Sequence, residues 1–96
     1  MNKANLVDII SEGTGLTKLE TGAVIDAFIA TVSYALATGE RVELRRFGTF
    51  SLKDRKAKIG RNPKTGIVVP IPPRKMPHFK PSPELRKYVE DQQKKE

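Results

Sequence analysis

The chain has 96 residues, no cysteine and one histidine, and it carries 18 Lys and Arg against 11 Asp and Glu. This length allows a single domain with a modest core, and the lack of cysteine excludes a disulfide framework and a thiolate metal site. We therefore expect neither a metal nor a cofactor, and we expect stability to come from packing that includes a second subunit.

The basic charge is confined to one half of the chain. Residues 1–40 have a net charge of −3, whereas residues 41–87 have a net charge of +11. A segment this basic attracts polyanions through release of their counterions, which favours nucleic acid over anionic lipid as a partner. A surface that was basic only for solubility would not need this segregation.

The first helix is predicted over residues 2–12, with Asn2 as its N-cap and with Gly13 and Gly15 ending it. Its apolar residues recur at the i, i+3, i+4 spacing of one helical face. The N-terminal residues lack the apolar run of a signal peptide or a transmembrane span. We therefore expect a cytoplasmic chain with no membrane partner.

A second, longer helix is predicted to follow. The sequence "TKLE" is a capping box from Thr17 to Glu20, and Gly39 is a typical C-terminal stop. Its apolar face runs through Val24, Phe28, Val32 and Leu36. Since an aliphatic stripe at helical spacing is usually core, we interpret it as the face that packs against a second subunit rather than as a cofactor groove. Residues 1–40 thus form a helical dimerisation part.

The hydrophobic period changes to two in residues 41–52, which predicts strands. Phe47 and Phe50 flank Gly48 in "RRFGTF", and we expect both rings to bury against the helical layer. A glycine inside such a run indicates a bulge or a close approach of two backbones.

Residues 53–75 combine basic charge with turn signals. Two extended runs flank "GRNPKTG" at 60–66, which predicts a long hairpin with this segment at its tip. The alternative is a disordered basic loop, and the β-branched run "IVVPIP" argues against it. Pro73 has the opposite strand parity to Pro70 and Pro72, so we expect regular pairing to break near 72–74.

Residues 76–92 are predicted to return to the body as a strand and then form a C-terminal helix. Ser82 is its expected N-cap and Pro83 its first residue. The face expected to point inward consists of Leu85, Tyr88 and Val89. We expect residues 93–96 to fray.

No catalytic constellation is indicated. The acids cluster in the helical half, away from the basic segment, so no carboxylate pair is available there to hold Mg²⁺, and a metal-dependent nuclease is disfavoured. The glycine-rich stretches lack the spacing of a phosphate-binding loop. We interpret His78 as a packing or surface residue and predict that the chain is not an enzyme.

The hairpin predicts a way of binding DNA. A ribbon lined with cations can enter a groove, and a proline ring at its tip can act only as an apolar wedge. Such wedges unstack base steps at a cost of a few kcal/mol and kink the duplex by roughly 20–90°.

The segments "RRFGTF", "GRNPKTG" and "MPHFKPSPELR", in this order behind two helices, resemble the HU/IHF family of bacterial histone-like DNA-binding proteins. The resemblance covers essentially the whole chain. It implies an α+β fold as an intertwined dimer with a helical base, a β-saddle and two extended β-ribbon arms. It also implies a nucleoid-associated protein that binds and bends double-stranded DNA, as a homodimer or as a heterodimer with a paralogue.

The resemblance also implies roles for individual residues. Pro63 is expected to intercalate. The expected DNA contacts are Lys3, Arg45, Arg46, Lys53, Arg55, Lys56, Lys58, Arg61, Asn62, Lys64, Arg74, Lys75 and Lys80. The expected dimer core is Val24, Phe28, Val32, Leu36, Phe47, Phe50 and Phe79. The chain departs from the family pattern at Arg46, which stands where glycine is usual, and at Ser82-Pro83, which replaces Gly-Lys.

Two questions stay open at the level of sequence. Glu43 and Arg45 match positions that help the IHF β-type subunit to read a preferred site, although we favour general architectural binding. An RNA-binding accessory protein would carry similar charge but would have no use for a wedge, because A-form RNA is read by shape and 2′-OH contacts.

Overall fold

A computed structural model describes residues 1–94 and shows a mixed α+β fold, as predicted. The elements in these residues, in chain order, are helix α1 (Lys3–Thr14), helix α2 (Lys18–Ala37), strands β1 (Val42–Leu44), β2 (Gly48–Arg55), β3 (Lys58–Arg61), β4 (Val68–Ile71) and β5 (Arg74–Pro81), and helix α3 (Pro83–Lys94).

Capping boxes open the first two helices. The Asn2 side chain accepts a hydrogen bond from the Asn5 N–H at 3.0 Å, and the Asn5 side chain accepts one from the Asn2 N–H at 2.9 Å. Thr17 and Glu20 make the same reciprocal pair, with both hydrogen bonds at 3.0 Å. The predicted N-caps are confirmed, and each satisfies amide groups that a helix start leaves without a partner.

Left-handed glycines lie at the ends of both helices. Gly15 has φ 79° and donates its N–H to the Ser11 carbonyl at 3.0 Å, and Gly39 has φ 86°. The prediction that Gly13 ends α1 is wrong, because the helix continues through it to Thr14. The Thr14 hydroxyl donates to the Ile10 carbonyl at 2.7 Å and holds this last turn.

Strands β1, β2 and β5 form an antiparallel sheet in the order β1-β2-β5. Phe50 pairs with Phe79 across β2 and β5, and the Phe79 ring centroid lies 4.8 Å from that of Phe50 and 5.2 Å from that of Phe47. A Cβ built on Gly48 would lie 2.5 Å from Cζ of Phe79 and 2.6 Å from the Lys80 carbonyl oxygen. The predicted close approach at Gly48 is confirmed.

The described residues cover the apolar face of α2 only in part. Leu36 is buried, but Phe28 is 46% and Val24 60% exposed. An open apolar cavity of about 710 Å³ lies between α2 and the sheet, with Phe28, Val32, Phe50 and Leu52 among its lining residues. Within residues 1–94, α2 is the helix whose length and composition alone would suffice to cross a membrane.

Helix α3 is covered by the described residues only at its start. Leu85 is half-buried, whereas Tyr88 is 63% and Val89 45% exposed in the single chain, so an inward role for these two residues stays a prediction. At the helix start, the Ser82 N–H donates to the Phe47 carbonyl at 2.9 Å.

Helix α3 reaches into the C-terminal tail. Residues 93 and 94, which we expect to fray, form the end of α3, and residues 95 and 96 lie outside the described residues. Lys87 and Asp91, one turn apart, approach to 3.8 Å, and Lys94 places a cation in the last turn. Lys94 interacts favourably with the helix dipole, whereas the Lys87–Asp91 pair has the weaker order of base before acid.

Candidate nucleic-acid interface

The basic hairpin, residues 53–75, forms an arm that extends from the sheet. Strands β2 and β5 pair as far as Arg55 opposite Arg74, and a separate two-stranded sheet then pairs Lys58 with Ile71 through to Arg61 with Val68. Pairing is interrupted at residues 56–57 and 72–73. The predicted break near 72–74 is confirmed, and the hairpin is a ribbon rather than a disordered loop.

Local hydrogen bonds build the tip of the arm. The Asn62 N–H donates to the Ile67 carbonyl at 2.9 Å, and the Gly66 N–H donates to the Asn62 carbonyl at 2.8 Å. The Asn62 side-chain oxygen also accepts from the Lys64 N–H at 2.9 Å, which is the bond of an Asx turn. Gly66 has φ 72° and closes the loop. This arrangement leaves Pro63 exposed at the far end of the ribbon.

The arm cations are exposed and lack acidic partners. In the part of the chain that the structure describes, the salt bridges join Lys3 to Asp26, Lys18 to Asp8 and Lys87 to Asp91, and none involves the arm. The exposed arm cations are Lys53, Arg55, Lys56, Lys58, Arg61, Lys64, Arg74 and Lys75. Their charge is therefore available to an external polyanion.

A second group of charged residues lies on the outer face of the three-stranded sheet, around a shallow cavity of about 420 Å³. This outer-face cluster contains Arg41, Arg45, Arg46, His78 and Lys80, together with Glu43 and Glu84. The structure thus brings together three of the predicted DNA contacts, Arg45, Arg46 and Lys80.

Sequence reasoning missed Arg41 and His78 as members of this cluster. Strand parity could have found both, because Arg41 alternates with half-buried Val42, and exposed His78 alternates with half-buried Phe79. His78 pairs in register with Ser51, which lines the same cavity.

Lys3 is placed differently from the other predicted contacts. Its ammonium group lies 2.6 Å from a carboxylate oxygen of Asp26 on α2, so an internal acid already neutralises it. Lys3 does not line the outer-face cavity. The Asp26 carboxylate therefore reduces the attraction of Lys3 for a phosphate.

Arg46 has a strained backbone. Its φ is 70°, and no other non-glycine residue among residues 1–94 has a positive φ. Side chains other than Asn and Asp rarely adopt this left-handed conformation, which costs about 1–2 kcal/mol.

The Glu20 carboxyl, which lies outside both charged surfaces, has a shifted pKa. The pKa of the Glu20 carboxyl is lowered because it accepts a hydrogen bond from the backbone N–H of Thr17, and its bond with the Thr17 side chain acts in the same direction. This carboxyl belongs to the α2 cap.

Helix α2, with α1 packed on it, lies against a three-stranded sheet that continues into a basic two-stranded ribbon, and this architecture fits the class of DNA-binding proteins that use β-ribbons. The family model described as bacterial DNA-binding protein matches residues 1–90. The chain belongs to this family, that of the architectural DNA-binding proteins HU and IHF, and the predicted membership is confirmed.

Relatives of both kinds are similar to the chain over nearly its whole length. An integration host factor subunit beta from Marinobacter nauticus is 46% identical over 99% of the chain and 98% of that protein. A DNA-binding protein HU from Staphylococcus aureus is 42% identical over 93% of the chain and 99% of that protein.

Solved structures agree with this assignment. The HU protein in an Anabaena HU–DNA cocrystal structure superimposes with a TM-score of 0.87 at 39% identity, over 93% of this chain and 97% of that one. HU from Thermotoga maritima superimposes with a TM-score of 0.68 at 27% identity, over 93% of this chain and 98% of that one.

Proposed function

We propose that the chain acts as a dimer that holds double-stranded DNA between two arms, enters the minor groove and bends the duplex by intercalating Pro63. The observation that carries this proposal is the ribbon itself, which ends in an exposed proline and bears cations without acidic partners. In a bacterial cell this activity would organise the nucleoid in the cytoplasm.

The dimer is supported by the open apolar face of α2. A chain of this size rarely leaves a Phe and a Val half-exposed beside a 710 Å³ apolar cavity unless a partner covers them. A second copy, or a paralogue, would bury the set Val24, Phe28, Val32, Leu36, Phe47, Phe50 and Phe79. Cover over α2 also accounts for its apolar composition without a membrane.

Phosphate contacts would come from both charged surfaces. Arm cations would follow the backbone beside the groove, and Arg45, Arg46 and Lys80 would meet the duplex at the outer face of the sheet. Asn62 and Lys64 flank the wedge, and their turn would hold Pro63 in place for insertion. This mechanism consists of binding and deformation, and it needs no metal, cofactor or catalytic group.

We propose general architectural binding rather than recognition of a defined site. The chain is nearly as identical to an HU protein as to an integration host factor subunit, so overall similarity fits either type. The site-preferring alternative is supported by Glu43 and Arg45, which lie together at the outer-face cavity where a duplex would pass. Equal affinity for duplexes of unrelated sequence would favour general architectural binding.

The experiment that tests the function is a binding competition among an intact DNA duplex, the same duplex with a central nick, and an RNA duplex of the same sequence. We expect the nicked DNA to bind most tightly because a nick lowers the cost of bending, and the RNA to bind least. A variant in which a short Gly-Ser linker replaces residues 58–71 should lose the preference for the nick. Equal binding of RNA and nicked DNA would overturn the proposal and favour an RNA-binding protein.

A further inference from the structure

The turn between β1 and β2 has Arg46 at a position whose backbone conformation favours glycine. The Phe47 N–H donates to the Leu44 carbonyl at 3.0 Å, which closes a four-residue turn with Arg46 in its third position. Arg46 has φ 70°, whereas Arg45 is not among the residues with positive φ. This is the pattern of a type II turn, whose third position favours glycine because it requires a positive φ.

Nothing within residues 1–94 compensates for this strain. In the described residues, the Arg46 side chain makes neither a hydrogen bond nor a salt bridge, and it is exposed. Asn or Asp would tolerate the same backbone with less strain. Fold stability therefore gives no reason for an arginine at this position.

The surroundings of Arg46 add an electrostatic cost. The outer-face cluster places Arg46 around one cavity with Arg41, Arg45 and Lys80, and only Glu43 and Glu84 oppose these four cations. An arginine inserted here increases repulsion in the free protein. An anion bound at this cavity would turn the same charges into attraction, and strained residues that persist in proteins cluster at such binding sites.

We propose that Arg46 binds a DNA phosphate at the outer face of the sheet. The arginine lowers the stability of the fold and raises the affinity of the chain for DNA. The inference rests on the proposed DNA-binding function and assigns the phosphate backbone as the group that Arg46 contacts. A guanidinium suits this task, because it offers several N–H donors to one phosphate.

Three variants at this position separate charge from backbone strain. Arg46→Gly removes both the charge and the strain, Arg46→Ala removes the charge alone, and Arg46→Lys keeps the charge and the strain. Thermal unfolding at one protein concentration measures stability, and titration of a labelled duplex of about 35 base pairs over a range of salt concentrations measures phosphate contacts.

We expect Arg46→Gly to raise the melting temperature by roughly 4–8 °C while flattening the salt dependence of binding by about one in the log–log slope per chain. Arg46→Ala should lose the same affinity and gain less in melting temperature than Arg46→Gly, because alanine relieves the charge repulsion but keeps the strained backbone. Arg46→Lys should keep the wild-type slope without a gain in stability. This opposition of stability and affinity is not expected of a residue that serves only the fold.

Two results would overturn the inference. Wild-type affinity and slope in Arg46→Gly would show that the residue does not contact phosphate, and equal melting temperatures for the Gly and Ala variants would show that the turn is not strained. The wild-type titration in the same series distinguishes these failures from failure of the proposed function, because a wild-type chain that does not bind the duplex would refute the function itself.

Discussion

The arm and the body of this protein use their residues in opposite ways. In the body, the rings of Phe47 and Phe50 both pack on Phe79, which lies against Gly48, and capping boxes open α1 and α2. Along residues 53–75, only Gly60 and Ile71 are even half-buried, and the ribbon is shaped by its ladder, its prolines and an Asx turn. Packing therefore determines the fold, and exposed charge determines the function, so the two can be perturbed separately.

Glycine substitutions should give the largest difference in stability between the body and the arm. Gly48→Ala should destabilise the body by about 2–3 kcal/mol, because its new Cβ would overlap the Phe79 ring and the Lys80 carbonyl oxygen. Gly60→Ala in the arm should change stability little, because the tightest contact of its Cβ, at 3.0 Å, would be with the flexible end of the Ile71 side chain. Its contacts with Ile71 Cγ1 and the Val69 carbonyl oxygen, both at 3.6 Å, are ordinary van der Waals distances. Chemical denaturation at matched protein concentration measures both changes.

Gly22→Ala is the matched control for these substitutions. Gly22 lies within α2 with nothing within 4 Å of a built Cβ, so alanine should stabilise the helix by up to about 1 kcal/mol. If Gly48→Ala were as stable as Gly22→Ala, the packing described around Phe79 would be wrong.

Removal of positive charge from the arm should weaken DNA binding and leave stability unchanged. Lys58→Ala and Arg61→Ala should each weaken DNA binding and lower the log–log salt slope by about one per lost phosphate contact, without a change in melting temperature. Lys87→Ala on α3 removes an exposed cation outside the arm and should leave the slope unchanged. A wild-type slope in both arm variants would contradict the assignment of the arm as a binding surface.

Disruption of the ion pair between Lys3 and Asp26 should have a smaller effect, on DNA affinity. Asp26→Asn frees the Lys3 ammonium, so binding should tighten by a few-fold and the salt slope should rise by up to about one. Stability should change by less than about 1 kcal/mol, since the pair is half-exposed. The double variant with Lys3→Ala is the control, and a gain that survives in it would mean that Lys3 is not the group released.

The smallest effect is expected at the α2 cap. The folded state lowers the pKa of Glu20 below its ordinary value of 4.5, so the unfolded chain binds more protons in the acid range. This contribution is present above pH 4.5 and is lost as pH falls through the lowered value. Glu20→Gln should therefore weaken the acid dependence of the melting temperature, and an unchanged acid limb would show that the cap does not contribute to it.

Local chemistry was enough to predict much of the body's outline and the shape of the arm. Asn2 and Thr17 cap their helices because the residues that accept or donate lie three positions away in sequence. The ladder breaks near Pro72 and Pro73 because proline has no N–H to donate. The tip at 60–66 follows from turn residues in the same segment.

Features that depend on distant partners could not be predicted in this way. The close approach at Gly48 was predicted, but its partners Phe79 and Lys80, which lie on another strand, were not. Lys3 is likewise neutralised by an acid on the next helix. Tyr88 and Val89 have the spacing of an inward face, yet within residues 1–94 of a single chain they are 63% and 45% exposed. Periodicity indicates that a face is apolar, but the tertiary structure decides what it packs against.

The left-handed backbone of Arg46 could not be predicted from sequence either. Its sequence neighbours give no sign of a left-handed residue, and the resemblance to HU and IHF indicated only that glycine is usual there. The strain became visible once the turn and its φ of 70° were known. The same structure placed Arg41 and His78 beside it in the outer-face cluster, where alternation along the strands could have located them.

The measurement that tests the central claim most directly is bending of an end-labelled duplex of about 35 base pairs, followed by fluorescence energy transfer at low salt and full saturation. Wild type should bend the duplex strongly, and Pro63→Ala should bind it but bend it much less, since the wedge is lost while the arm cations remain. Equal bending by both proteins would contradict the proline wedge. Saturated binding by wild type with no bend would contradict the architectural function as a whole.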